Sequence, residues 1–156
     1  MMAFVPNVEQ WRVICEEASK SHMVPVNLLL AVIAHESAGR PKARSEFGAL
    51  GLMQIVPWMH RDCMPQDMQN SPSHTVYGAH DGWWFDPANN IMCGARILAS
   101  YNHTPDWDDD DMVVGVLASY VWGPGNVAAH PHVSDWPLSV QNYAKGCLKF
   151  YRDGGG

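Results

Sequence analysis

Three observations predict a mainly α-helical fold. Apolar residues recur at steps of three and four along most of the chain. One run, Val26–Ser37, is apolar almost all round, as a helix buried in the middle of a domain must be. Residues with a physical reason to start or stop helices stand at the edges of these stretches, among them Pro25, Asp86-Pro87 and Gly123-Pro124-Gly125.

In chain order, Val8, Trp11, Cys15 and Ala18 share one face of a first amphipathic helix that ends near His22. The central helix follows Pro25 and is interrupted after Ser37 by Gly39 and Pro41. Small residues dominate from 45 to 57, which predicts a turn leading into a short helix over residues 52–56. Residues 60–85 mix Pro, Gly, Asn, Asp, His and aromatics with neither helical nor strand period, and predict a long irregular loop. Asp86 is suited to accept free backbone N–H groups and Pro87 to occupy the first helical position, so a helix begins there with Ile91, Ala95, Leu98 and Tyr101 inward. The acids of residues 108–111 favour the start of another helix, which runs to Trp122 and stops at Gly123. A last helix, from Leu138 to about Tyr151, turns Val140, Tyr143, Cys147 and Phe150 inward.

The 156 residues suit one domain, with a core over about 7–152 and a flexible glycine end at 154–156. Hydrophobic residues at 47% against 17% charged exclude a disordered chain or a coiled coil. A formal charge of -6 has the wrong sign for neutralising nucleic-acid phosphates, so no nucleic-acid partner is expected. The longest apolar run, residues 28–34, is far short of the roughly 20 residues of a membrane span. Residues 1–11 carry neither a basic start nor an apolar stretch, so nothing in this chain directs secretion. Cys15, Cys63, Cys93 and Cys147 are too widely spaced for a CxxC motif and are expected to be free, mostly buried thiols.

Glu36 lies near the end of the most apolar helix, where a carboxylate is rare unless paired or functional. Desolvation and the negative end of the helix both raise its pKa, which suits a general acid. Position alone also allows a helix-end Glu in water. Trp83 and Trp84 offer flat faces for stacking on sugar rings, with core packing as the alternative. His35-Glu36 is followed by Gly39 where a zinc HExxH motif needs His, so neither a metal nor another cofactor is expected. His60, His74, His80, His130 and His132 read as loop residues.

Glu36-Ser37, then Gly48-Ala49-Leu50-Gly51-Leu52-Met53-Gln54-Ile55, Asp86-Pro87 with Asn90-Ile91, and Tyr120 with Gly123-Pro124-Gly125 together resemble the soluble lytic transglycosylase family. The resemblance covers residues 10–151, and its Gly-x-x-Gly-Leu-Met-Gln element is the specific part. It implies a goose-type lysozyme-like fold and cleavage of peptidoglycan glycan strands between N-acetylmuramic acid and N-acetylglucosamine. Glu36 would be the single catalytic acid and base, with Tyr120 orienting it. Ser45, Met53 and Gln54 would belong to the saccharide groove, where Gly48 and Gly51 let the backbone approach the glycan. Val121 stands where the family pattern has Asn, and it cannot make that residue's hydrogen bonds. The expected products end in 1,6-anhydro-N-acetylmuramic acid. A goose-type muramidase would instead need a second carboxylate, for which Asp81, Asp86 and Glu46 are the candidates. A non-catalytic glycan-binding or structural module of a wall-penetrating particle is the reading outside enzymes. With no secretion signal, a monomer carried on a phage virion, released through a membrane pore, or cut from a larger exported protein is expected.

Overall fold

The computed structural model describes residues 6–69, 80–101 and 106–154. Eight α-helices occur there: α1 Pro6–Glu9, α2 Arg12–His22, α3 Val26–Ser37, α4 Asp81–Phe85, α5 Pro87–Ser100, α6 Asp110–Trp122, α7 Pro124–Ala129 and α8 Leu138–Arg152. Among the described residues extended pairing is limited to two isolated bridges, Arg44 with Leu50 and Leu50 with Ile55. The fold is mainly α, as the periodicity predicts. None of the helices is long and apolar enough to cross a membrane.

α3 is the centre. Leu28, Leu29, Leu30, Ile33 and the residues between them are buried, because α2, α5 and α8 pack around it. α8 closes the other side with Val140, Ala144, Cys147 and Phe150 at steps of three and four, and packs on α6 as well. The start of α5 is capped as the sequence suggests, and the acidic run of residues 108–111, expected only to favour a helix start by its charge, supplies a cap to α6. Asp86 accepts a hydrogen bond from Asn89 N–H (3.1 Å), and Asp109 accepts from Asp111 N–H (3.0 Å). Gly123, at φ 101°, ends α6 in a conformation that side chains avoid, and α7 restarts at Pro124.

The structure corrects four expectations. The first helix is two, because the chain turns at Trp11, whose indole N–H reaches back to the Gly39 carbonyl (3.0 Å) beyond α3. Residues 52–56 are not helical: Leu50 and Ile55 exchange both backbone hydrogen bonds (2.9 and 3.0 Å) and close a tight turn. The irregular loop holds short 3₁₀ turns at Pro57–Met59, Arg61–Cys63 and Gln66–Met68, and its end is α4; His74 lies outside the described residues. Cys63 and Cys93 are joined in a disulfide with Cα atoms 5.7 Å apart, which fastens the second 3₁₀ turn to α5. A separation of 30 residues gives no motif by which that pairing shows in the sequence. Cys15 and Cys147 are free and buried, and burial pushes the Cys15 thiol up to about 12.

Candidate active site

Glu36 stands in the last turn of α3, one residue before the buried Ser37, whose hydroxyl donates back to the Ile33 carbonyl (3.1 Å). Its carboxylate oxygen Oε2 accepts a 2.8 Å hydrogen bond from the Tyr143 hydroxyl of α8. Burial pushes the Glu36 pKa up to about 7, and the Tyr143 bond opposes that rise. Near neutral pH the group is therefore divided between acid and carboxylate, the condition in which one residue can both give and take a proton.

Opposite Glu36 lies the turn of residues 45–55. Ser45 Oγ accepts from the N–H groups of Phe47 (3.3 Å) and Ala49 (3.0 Å), and Gly48, at φ 88°, closes the same turn. Gln54 has a left-handed backbone (φ 50°), which its side chain supports by donating from Nε2 to the carbonyls of Ala43 (3.2 Å) and Gly51 (3.0 Å). Asn90, fully buried on α5, holds the turn in place. Its Oδ1 accepts from Met53 N–H (2.8 Å), and its Nδ2 donates to the carbonyls of Leu50 and Trp84 (both 2.9 Å).

Two open cavities share Glu36 and Gln54 in their walls, so the acid stands where they meet. One, of about 530 Å³, is lined by residues 40–44. The other, of about 470 Å³, is lined by Ser45, Phe47, Ala49, Met59, His60, Tyr101 and Tyr120 among others. Glu36 is the sole acid among the described residues lining either cavity. The residues outside the described segments contain neither Asp nor Glu. Of the candidates for a second carboxylate, Asp81 is held by Arg44 (2.8 Å), Asp86 caps α5, and Glu46 is exposed.

Glu36, Ser45 and Gln54 are thus together in one groove, and the other expected site residues divide differently. Tyr120 reaches the groove, but its hydroxyl donates to the Met53 carbonyl (2.6 Å), so the bond expected of it to Glu36 comes from Tyr143. Met53 is wholly buried with its thioether against Gly94 of α5, and its side chain is not part of the groove. Gly51, at φ 79°, is buried too. A Cβ there would meet the Asn90 side chain, so this glycine makes room for the clamp rather than for glycan. α4 packs on α5, and neither indole lines the cavities at Glu36: Trp84 is buried, and Trp83 lines a separate cavity with Cys63, Cys93 and Arg96.

Sequence reasoning took Tyr143 for an ordinary core aromatic. The available signal was its hydroxyl, which on an inward helix face requires a partner. Phe47, 83% exposed on the groove's rim, was also missed, since an apolar residue in a turn carries no pattern.

Helices packed around a groove, with one protonatable glutamate at the end of the central helix, define a lysozyme-like domain. Residues 14–132 match the family described as Transglycosylase SLT domain, and the chain belongs to that lytic transglycosylase family. It is 31% identical over 132 residues to an endo-type membrane-bound lytic murein transglycosylase A of Klebsiella pneumoniae, covering 78% of this chain and 59% of the relative. It is 34% identical over 116 residues to the membrane-bound lytic murein transglycosylase C of the same species, covering 71% of this chain and 30% of the relative. The chain therefore spans only part of the length of these relatives. Among solved structures, the 70 kDa soluble lytic transglycosylase of Escherichia coli superposes with a TM-score of 0.65 at 25% identity, over 90% of this chain and 24% of that one. An inactive mutant of the lytic transglycosylase Slt of Pseudomonas aeruginosa superposes with a TM-score of 0.59 at 21% identity, over 92% and 22%.

Proposed function

We propose that this chain cleaves the N-acetylmuramic acid to N-acetylglucosamine bond of peptidoglycan as a lytic transglycosylase, with Glu36 as its catalytic residue. The single observation that carries this reading is that partly buried Glu36 is the only acid among the described residues lining the groove. An inverting hydrolase needs a second carboxylate roughly 6.5–9.5 Å away to activate water, and a retaining one needs a carboxylate nucleophile. A transglycosylase needs neither.

In the reaction, protonated Glu36 gives its proton to the bridging oxygen as the bond from that oxygen to the muramic anomeric carbon breaks. The acetamido oxygen of the same sugar assists at the anomeric carbon. The Glu36 carboxylate then takes the proton of that sugar's C6 hydroxyl, whose oxygen bonds to the anomeric carbon and closes the 1,6-anhydro ring. Glu36 ends protonated and no water is consumed. Tyr143 positions the carboxyl through its hydrogen bond. Gln54 and Ser45 contact saccharide in the groove beside it, while Gly51 and Met53 serve the turn that carries them. The substrate is the glycan strand of the cell wall, and the chain acts on it as one catalytic unit with its core over residues 7–152.

The experiment that tests the role of Glu36 is lysis of purified walls followed by turbidity. Glu36→Gln is expected to remain folded and to lose roughly 10²- to 10⁴-fold in rate, the usual worth of a positioned acid. Near-normal lysis by the folded variant would overturn it.

A further inference from the structure

The Cys63–Cys93 disulfide takes no part in the proposed reaction, yet it lies close behind the groove. A small cavity of about 140 Å³ is lined by His60, Asp62, Cys63, Arg96, Ile97 and Ser100. His60 and Ile97 also line the cavity of about 470 Å³ at Glu36, so these two side chains stand between the disulfide and the groove. They come from the two segments that the disulfide joins. His60 precedes the second 3₁₀ turn, and its carbonyl accepts from the Cys63 N–H (3.1 Å), so a shift of Cys63 is passed to it. Ile97 follows Cys93 by about one turn of α5. A second tie joins the same segments: Arg96 donates to Asp62 Oδ2 (2.7 Å) and to the Asp62 carbonyl (3.2 Å). Both of those side chains are exposed, so this pair is screened by water and salt and holds the wall weakly by itself. The disulfide is also reachable. Both of its cysteines line the open cavity of about 310 Å³ that holds Trp83. Cys93 is buried, whereas Cys63 is partly exposed, with Arg96 Nη1 3.9 Å from its sulfur. A partly exposed sulfur beside a cation is the one that an incoming thiolate attacks.

We infer that Cys63–Cys93 is a thiol-exchange site whose oxidation state sets the activity of the groove. Joined, it holds Met59 and His60 in the wall of the cavity at Glu36; reduced, it releases them. The inference rests on the transglycosylase reading of Glu36 for its activity readout. The reacting partner is a thiol reductant in one direction and a disulfide oxidant in the other. In reduction, a thiolate attacks Cys63 Sγ, forms a mixed disulfide and expels Cys93 as a thiolate, which takes a proton. A second thiol of the reductant then displaces Cys63, leaving two thiols here and one disulfide on the reductant. Oxidation reverses the exchange, with two electrons and two protons passing to the oxidant. Cys15 and Cys147 are buried thiols in both states. Cytosolic thiol pools keep such pairs reduced, whereas cell surfaces and the periplasm are oxidising. The groove is therefore loose in a reducing compartment and set where cell walls lie.

The test follows lysis of purified walls by the full chain in glutathione buffers of graded ratio, with the oxidised fraction read by alkylation and mass spectrometry. Activity is expected to track the oxidised fraction, to fall about 10-fold in the fully reduced chain and to return on reoxidation. That loss is below the roughly 10²-fold that a 1 Å misplacement costs. The double variant Cys63→Ser, Cys93→Ser is expected to show the reduced activity at every ratio. Hydrogen exchange is expected to rise on reduction in residues 57–64 and to stay unchanged in α3 and α8. Unchanged lysis by the reduced chain would overturn the inference, as would a bond that glutathione opens only in denaturant. A reduced chain in which α3 and α8 exchange as fast as residues 57–64 would also overturn it, since the link would then hold the whole fold and not the groove wall. If the oxidised chain lyses no walls, the transglycosylase reading falls. Hydrogen exchange then decides the site: a rise confined to residues 57–64 on reduction by glutathione supports it, and no rise overturns it.

Discussion

The Tyr143 hydroxyl on α8 meets Glu36 Oε2 on α3 at 2.8 Å, bringing together residues 107 positions apart at the meeting point of two cavities. Burial raises the Glu36 pKa and this bond pulls it part of the way back. Tyr143→Phe removes the opposing effect, so the Glu36 pKa rises further above about 7. The basic limb of the pH profile of kcat/KM is expected to move to higher pH with a several-fold fall in kcat, and an unmoved limb would mean that the bond is not felt by the reacting group.

The same burial makes stability depend on pH. The folded-state pKa of Glu36, about 7, lies above its ordinary 4.5, so the folded chain holds this proton more tightly than the unfolded chain does. The stability it contributes is complete below pH 4.5 and is lost as pH rises through about 7. Glu36→Gln has no such proton to lose. Denaturant melts across this range should show the variant gaining on wild type by on the order of 2 kcal/mol. Parallel pH dependences would place the carboxyl in water.

Asn90 is the only side chain described as bonding Met53, Leu50 and Trp84 backbone groups at once. Asn90→Ala leaves those buried groups unpaired, and a loss of about 2–4 kcal/mol is expected, with activity falling because the Ser45–Gln54 turn loosens. Thermal melting checks this, and a loss below about 1 kcal/mol would show that the turn holds without its clamp.

Thiol titration of the denatured protein should find two free groups, Cys15 and Cys147, without reductant and four after reduction. Reduction is expected to cost about 3 kcal/mol, since the Cys63–Cys93 link closes a loop across 30 residues. Four free groups before reduction would show that the link does not form.

What the sequence revealed was what short-range physics controls. The α3 run, the Asp86 cap, the acidic start of α6 and the stop at Gly123 follow from periodicity, local hydrogen-bonding capacity and charge, and all are present. The features it concealed depend on contacts between distant segments. Tyr143 and Tyr120 both sit on inward helix faces, and only packing decides which hydroxyl reaches Glu36 and which reaches the Met53 carbonyl. Gly51 resembles a glycine kept open for ligand until Asn90 is seen in the space. Trp83 and Trp84 have the aromatic faces that sugars stack on, but Trp84 is buried in the core and Trp83 lines a cavity that does not include the acid.

The central claim is that a single carboxyl performs the cleavage without water, and the products carry the record of that. Mass spectrometry of muropeptides released from purified peptidoglycan is expected to show ends of 1,6-anhydro-N-acetylmuramic acid, each lighter by one water than a hydrolysis product and resistant to borohydride. Mainly hydrated, reducible ends would contradict the account and establish a hydrolase.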